Sequence, residues 1–519
     1  MSLPTSIGHF ARSAVRLLVR LYYPTVEVSG RERIPDSGAV LFCANHPNSM
    51  LDPAIIGLVA RRPVHFFAKA PLFDVPVFGA VMRALGMVPA YRGSDDRSQV
   101  KQNLASLEAG AAWLARGEAV GIFPEGKSHD LARVEQVRTG AARLALQAAQ
   151  SGAAVTIVPL GLNYERKERF RSAVWVNVGE PLDANTALRD HAGDDRKAMR
   201  QLTADLDRRL KQAAIHLDEE KWEPFLADLE LLTASSHNQL EETKVGSRRR
   251  EEAEHADAGS NRLLTSAATL GSGPIERIRQ RKRIADAMNH FLAADRPRAE
   301  AVAAAIEEHR SHLTAAGLDL RSKLSHRQGA AEWARLTGET LGLALGFVPA
   351  LAGLLHHLVP FVLTRLAARL FRGPVRATIA LSRLGPGLLI YGAWYALAWW
   401  GLARWFPDRF AWMWTALMPL AGIQALHYWP RAGQAARVLR QRIQMSRRRG
   451  EFERLRAERA AVSEHLRVLA EEFAAAQSET PHEPGRADLP VGLNAQQRVP
   501  TSTQVTVRDS GIVEPPHGP

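Results

Sequence analysis

The chain has 519 residues, 46% of them hydrophobic and 23% charged, with a formal net charge of +13. That length allows more than one structural unit, and the ordinary hydrophobic share means that any membrane part must be a local cluster. The positive balance, carried mostly by arginine, points to an anionic partner such as nucleic acid, an anionic bilayer or a phosphorylated substrate. The single cysteine, Cys43, excludes an internal disulfide and a cysteine-based zinc site, and fits a reducing compartment.

In chain order, the N-terminus offers no apolar core with a small-residue cleavage site, so no secretory signal is expected. Phe10–Tyr23 predicts an amphipathic helix stopped by Pro24, with Arg12, Arg16 and Arg20 on one ridge. Two readings stand for it: a helix packed on the core with a solvated arginine stripe, or a helix in a lipid headgroup layer. From Gly30 to about Pro181, β-rich runs alternate with helical stretches, the pattern of an α/β domain. The predicted strands are Ala39–Ala44, Val64–Ala68, Ala119–Phe123, Val155–Leu160 and Ala173–Val178; the clearest helices are Ser98–Ala115 and Thr139–Ser151. Beyond Ala184 the strands stop. Asp195–Leu217 and Pro274–Gly317 read as charged helices, with a polar linker at Gly246–Asn261.

Three later stretches, Leu341–Thr364, Leu384–Ala403 and Phe410–Pro430, lack Asp, Glu, Lys and Arg over about the length a bilayer requires. The second and third are rich in Trp and Tyr near their ends and are separated only by Arg404–Arg409, which predicts a membrane hairpin; a buried soluble hairpin is the plainer alternative. The first contains Pro349, Pro360, His356 and His357. Arginines cluster between the first and second stretches and again after Arg431, so both flanks of the hairpin are expected on the cytoplasmic side. A catalytic domain on that same face requires that Leu341–Thr364 not cross: it enters and returns, or lies along the interface. Arg431–Ala476 predicts a charged helix whose Phe452, Leu455, Leu466, Leu469 and Phe473 suit either a coiled coil or the base of the hairpin. The expected division is an N-terminal helix (1–29), an α/β domain (30–190), a helical region (191–335), membrane-associated helices (336–430), a charged helix (431–476) and a disordered tail (477–519).

Chemistry concentrates in four clusters of the α/β part. Asn45-His46-Pro47-Asn48-Ser49-Met50-Leu51-Asp52 follows a strand and offers an imidazole and a carboxylate as a base and its orienting partner; by itself such a pair is more often a turn feature. Gly86 to Arg92 is a short strand delivering Arg92, either a surface cation or a fork for phosphate. Phe123-Pro124-Glu125-Gly126-Lys127-Ser128 leaves a strand through a turn and aims Glu125 and Lys127 at the same sheet edge as His46. Pro159, within Val158-Pro159-Leu160, removes a ladder donor and so belongs at a sheet edge or beside a groove.

In this order the four clusters resemble the boxes of the glycerolipid acyltransferase superfamily, the group of glycerol-phosphate and lysophosphatidate acyltransferases, over roughly Val40–Pro181. The resemblance implies a mixed α/β sheet with flanking helices, followed here by a helical region and C-terminal membrane helices. It implies His46 as general base, Asp52 as its orienting partner, Arg92 on the acceptor phosphate, Glu125 and Gly126 positioning the glycerol, Lys127 as a less secure phosphate contact, and Pro159 by the acyl groove. No metal and no bound cofactor are implied; acyl-CoA or acyl carrier protein is the donor and membrane lipids are partners, with no nucleic acid. Gly161-Leu162-Asn163-Tyr164, Phe170-Arg171-Ser172 and Gly179-Glu180-Pro181 resemble the branch with fungal glycerol-3-phosphate and dihydroxyacetone-phosphate acyltransferases.

Two departures matter. Five residues, Pro47 to Leu51, separate His46 from Asp52 where the usual box has four, so the turn must absorb one more. The third box reads Glu125-Gly126-Lys127-Ser128 in place of Glu-Gly-Thr-Arg, which moves the cation by one position. The expected reaction is transfer of a fatty acyl group to glycerol-3-phosphate or dihydroxyacetone phosphate. The alternatives are a lysophospholipid acceptor, most simply lysophosphatidate, and an inactive membrane scaffold in which the longer spacing has disabled the site.

Overall fold

Alternating apolar runs bounded by turns build the sheet, and their burial on both faces places them at its centre. The computed structural model describes residues 5–49, 51–74, 78–91, 100–233, 273–322, 324, 330–370 and 379–479. Helix α1 (Thr5–Tyr22) leads into β1 (Thr25–Ser29), β2 (Ala39–Ala44), α2 (Leu51–Val59), β3 (Val64–Lys69), α3 (Phe78–Ala84) and β4 (Val88–Ala90). Next come α4 (Val100–Ala115), β5 (Ala119–Ile122), α5 (Gly140–Gln150), β6 (Val155–Tyr164), β7 (Ala173–Val178), β8 (Leu182–Asp183), α6 (Ala184–Asp190) and α7 (Asp195–Ala213). The eight strands form one mixed sheet in the order β1-β7-β6-β2-β5-β3-β4, with β8 beside β6. All pairs are parallel except β6 with β7 and β6 with β8.

Strand β2 is buried along its whole length because its faces are covered by different helices. Leu41 and Cys43 pack with Leu114 of α4, Leu144 of α5 and Leu206 of α7. Val40, Phe42 and Ala44 pack with Val19 of α1 and Ile55 and Ile56 of α2. Gly161 of β6 is needed where α7 ends: a Cβ there would stand 2.1 Å from the Ala213 carbonyl oxygen.

These contacts correct the expected boundaries. Helix α1 and strand β1 are part of the packed unit, not a separate N-terminal segment, because Val19, Tyr22 and Tyr23 are core residues and β1 pairs with β7. The core-packing reading of α1 fits these contacts, and Phe10, Leu17 and Leu21 remain exposed on its outer side. Helix α7 also belongs to this unit, through Leu202, Leu206 and Leu210. Strand β6 runs four residues past its expected end, paired there with β7. Pro159 does not sit at the sheet edge. It is buried in an inner strand where β6 passes from its β8 neighbour to its β7 neighbour, a break in the ladder that tolerates a missing N–H.

The helical region follows with α8 (223–233), α9 (Pro274–Ala294) and α10 (Arg296–Ala315); the Gly246–Asn261 linker and the 480–519 tail lie outside the described residues. Ile275 and Ile278 of α9 pack on Ala173 and Trp175, and Arg277 bridges Glu165 at 2.5 Å, so this region is fixed to the sheet. Then come α11 (Ala330–Leu370), α12 (Ile379–Ala403), α13 (Asp408–Arg447) and α14 (Arg449–Glu479). Helix α11 is unbroken over 41 residues despite Pro349 and Pro360, which rules out a segment that enters and turns back within it. At 1.5 Å per residue it is about 60 Å long. It lies antiparallel to α13, with Phe347 against Tyr428, Gly353 against Ala421 and His356 against Trp414. It also touches α12 through His357 and Tyr395 (2.7 Å).

Among the described residues only Thr337–Leu370 is long and apolar enough to cross a membrane by length and composition. The uncharged stretches of α12 and α13 are diluted by Trp, Tyr, Gly and Pro. Helix α14 packs neither as a coiled coil nor on the hairpin base. Its Phe452, Leu455 and Val462 join Leu226, Ala285, Ile306 and Leu313 of the helical region, and its buried Arg459 donates to the Leu320 and Ser322 carbonyls.

Candidate active site

Strands β2 and β5 are parallel neighbours with Cys43 opposite Ile122, so the residues three positions further on, His46 and Glu125, emerge at one sheet edge. Asn45 prolongs the ladder with its side chain: its Oδ1 accepts from Leu162 N–H (2.7 Å) and its Nδ2 donates to Leu162 O (3.2 Å). The chain then turns through Asn48 and Ser49, the latter at φ 46°, and enters α2 with Asp52 in the first turn. This left-handed residue absorbs the longer spacing. His46 Nδ1 faces Asp52 Oδ2 at 2.9 Å, and Asn48 N–H donates to the same oxygen at 2.7 Å. The Asp52 side chain is fully buried and the His46 ring keeps 14% of its surface exposed. The ring stacks on Phe123, with centroids 3.9 Å apart.

With Nδ1–H donating to the carboxylate, Nε2 carries the free lone pair. It has no hydrogen-bond partner among the described residues. The peptide groups of His46 are held as well: its N–H donates to Glu125 Oε1 (3.3 Å) and its C=O accepts from His129 N–H (3.3 Å). Glu125, 1% exposed, is also paired with His129 Nε2. Its carboxylate is therefore engaged inside the protein, under the His46 peptide and against His129.

Gly126 takes φ 78° in the turn that its N–H closes on Phe123 O, beside the Arg138 guanidinium. Lys127 is half exposed and paired with Glu135 at 2.9 Å. Arg92 lies outside the described residues; the described strand β4 ends at Ala90, opposite Lys69 of β3, in a parallel pair. The structure thus brings together His46, Asp52 and Glu125, with Gly126 in the turn that follows, while Pro159 lies buried in β6 opposite Cys43 of β2.

Over residues 25–163, which hold all of these groups, the chain matches the family model described as Acyltransferase. It is 39% identical to glycerol-3-phosphate O-acyltransferase 1 of Saccharomyces cerevisiae over 14% of this chain and 10% of that protein. It is 27% identical to 1-acyl-sn-glycerol-3-phosphate acyltransferase of Borreliella burgdorferi over 33% and 67% of the two chains. Residues 25–163 are an acyltransferase domain of the glycerolipid acyltransferase superfamily. With an uncharacterized protein of Mycobacterium tuberculosis it shares 31% identity over 23% of its own length and 32% of that relative's, so it spans about a third of such relatives.

Several contacts of this candidate site escaped the sequence reading. Tyr164 donates its hydroxyl to Asp52 Oδ1. Burial first, and the Asp52 charge second, push that hydroxyl well above the usual phenol range, so it stays a donor. Asn48 Nδ2 donates to the Tyr23 hydroxyl (2.6 Å), which donates to Lys167 O (2.5 Å). Lys167 Nζ in turn pairs with Asp130 Oδ1 at 2.8 Å and donates to His129 O at 3.2 Å. In the sequence Tyr164 stands out only as the end of Gly161-Leu162-Asn163-Tyr164, four residues past the expected end of the strand, and its partner Asp52 appears only when β6 is laid beside α2. Lys69 is an exposed cation where β3 ends, opposite Ala90 of β4. Chemically, the pair can take a proton from a hydroxyl at Nε2 and hold the resulting imidazolium against a carboxylate.

Proposed function

We propose that the chain transfers a fatty acyl group from acyl-CoA or acyl carrier protein to a hydroxyl of glycerol-3-phosphate or dihydroxyacetone phosphate. The observation that carries this reading is the His46–Asp52 pair with a free Nε2 on a sheet edge. The acceptor hydroxyl loses its proton to His46 Nε2 as its oxygen bonds to the thioester carbonyl carbon. The C–S bond then breaks, and the thiolate leaves with the proton returned from the imidazolium. A thiol is a good leaving group, so positioning and proton removal dominate the barrier. Arg92 binds the acceptor phosphate as a two-bond fork. Lysophosphatidate is the second acceptor reading, favoured by the similarity to the Borreliella enzyme named for that substrate.

The same reading attaches the protein to a membrane from one face, with the catalytic domain on the cytoplasmic side. Support comes from both ends of α11. Leu324 near its start is buried in the helical region, and Gln441 of the antiparallel α13 donates to Ser322 (2.8 Å). Near its other end, Thr364 meets Gly387 of α12, one turn from Arg383, which donates to Glu168 O beside the site (3.1 Å). A crossing helix has its ends in different compartments, some 40–45 Å apart across the bilayer. In this reading α11, tied near both ends to the rest of the chain, lies along the interface with Leu341, Leu345, Val348 and Leu355 on its exposed surface.

The test is purified protein in detergent with labelled acyl-CoA, given glycerol-3-phosphate, dihydroxyacetone phosphate and lysophosphatidate in parallel. One of the first two is acylated by wild type, and His46→Ala loses on the order of 10²–10⁴-fold in rate while remaining folded. Acylation of none of the three, or near-wild-type turnover by His46→Ala, overturns the reading.

A further inference from the structure

The four boxes do not contain the residue that completes the His46–Asp52 pair. The Asp52 carboxylate is buried with two oxygens to satisfy. Oδ2 accepts from Asn48 N–H at 2.7 Å and faces His46 Nδ1 at 2.9 Å. Oδ1 accepts the Tyr164 hydroxyl. Without a tie on Oδ1, the carboxylate plane is free to swing, because the terminal torsion of Asp is broad and not staggered. The tie matters more here than at a shorter spacing. Asp52 reaches back to the ring across a five-residue turn that includes Ser49 at φ 46°. Tyr164 is well placed to supply the fixed point. Its backbone pairs with Val174 across the β6–β7 ladder, its side chain is buried, and its ring packs on Tyr23 with centroids 5.4 Å apart. Tyr164 is thus anchored by the β6–β7 ladder and by its buried ring, and fixes the outer oxygen of Asp52 from the strand side.

We infer that Tyr164 is a positioning residue for proton transfer at His46, acting through the outer oxygen of Asp52. The inference rests on His46 as general base. It extends the working unit beyond the boxes to the end of β6, and it gives the longer His–Asp spacing a structural complement in the same chain.

The test is Tyr164→Phe, which removes one oxygen and keeps the ring. The expected result is a kcat lower by about tenfold with both KM values within about twofold, since a hydrogen bond to a charged group is lost while substrate contacts stay. The acid-side limb of the kcat/KM profile moves upward by roughly half a pH unit, because the carboxylate, relieved of one donor, holds the imidazolium more tightly. The other ionisable groups around the pair, Glu125 with His129, Tyr23 and Lys167, are unchanged in this variant. A merely structural loss lowers kcat without moving that limb. In an Asp52→Ala background Tyr164→Phe adds nothing further, because the oxygen through which it acts is gone.

A readout independent of acceptor is the low-field Nδ1–H proton resonance of His46, assigned by its loss in His46→Gln; it moves in Tyr164→Phe. Should Tyr164→Phe fail to accumulate, fluorotyrosine labelling, which strengthens the donor, displaces the resonance in the opposite sense to that expected for Tyr164→Phe. An unmoved resonance together with a wild-type kcat and limb overturns the inference. A wild type that acylates no acceptor overturns the proposed function instead, and the resonance still decides the role of Tyr164.

Discussion

Replacing Asp52 by Asn separates two contributions that a carboxylate makes to a catalytic histidine: its charge and its control of the tautomer. The buried side chain of Asp52 receives Asn48 N–H and His46 Nδ1–H on Oδ2 and the Tyr164 hydroxyl on Oδ1. An amide has one acceptor oxygen and one donor nitrogen. Two N–H groups converge on the Oδ2 position, so the amide oxygen takes that place and the NH₂ turns to Tyr164. A phenol oxygen accepts as well as donates, so the NH₂ finds a partner there, while the Tyr164 O–H gives up its acceptor. The histidine therefore keeps its tautomer and loses only the charge. Exchanging a charge-assisted hydrogen bond for a neutral one costs roughly 1–2 kcal/mol, about 5–30-fold in kcat/KM. A serine protease triad that loses the tautomer with the same change falls by about 10⁴-fold. The assay is kcat/KM for the acceptor that wild type uses, at saturating thioester, with thermal unfolding as a check on the fold. A loss near 10⁴ refutes the reasoning, because the amide then sits reversed and Tyr164 does not accept from it. An unchanged rate refutes it too, since the charge of Asp52 then contributes nothing.

Arg92→Ala raises the acceptor KM far more than the thioester KM, and Arg92→Lys recovers only part of the loss, because an ammonium is a point charge where guanidinium is a fork; steady-state kinetics with each substrate varied checks this. Gly161→Ala destabilises the protein by on the order of 1–3 kcal/mol, since the new methyl meets the Ala213 carbonyl. Gly57→Ala inside α2, where nothing lies within 4 Å of the added methyl, stabilises it by about 0.5–1 kcal/mol. Thermal unfolding of both variants gives opposite shifts. Cys43 is buried, so single cysteines at Gly338, Trp405 and Gly433 report topology through an impermeant maleimide in vesicles of known orientation. Attachment from one face predicts that Gly338→Cys and Gly433→Cys label from the side that exposes the catalytic domain; labelling of Gly338→Cys and an Arg369→Cys variant from opposite sides shows that α11 crosses.

By itself the sequence determined the chemistry-bearing groups and the strands that carry them. Ala39–Ala44 and Ala173–Val178 are apolar runs too short for helices and bounded by turns, and they form strands over those same residues. The order of the His46, Arg92, Glu125 and Val158-Pro159 clusters marked the superfamily, because motif order is a property of the chain and survives any rearrangement of loops. What the sequence left open was every relation between residues distant in it. The five-residue spacing looked adverse for His46 and Asp52 until Ser49 took a left-handed conformation and α2 began at Leu51, a matter of backbone torsion and not of composition. Glu125 looked like a substrate contact, and only the parallel register of β2 and β5 showed its carboxylate under the His46 peptide. Tyr164 and Asp52 are 112 residues apart and meet because β6 runs four residues beyond its apolar core beside β7. The division into units failed for the same reason. The amphipathic pattern of α1 says that one face is buried but not against what, and its partners, Ile55 and Ile56 on α2, come from elsewhere in the chain. In α11 the prolines suggested a break, yet the helix continues through both while α12 and α13 pack on it. Local pattern fixes which residues seek burial and which bear chemistry; the partner each one finds is decided by packing across the whole fold.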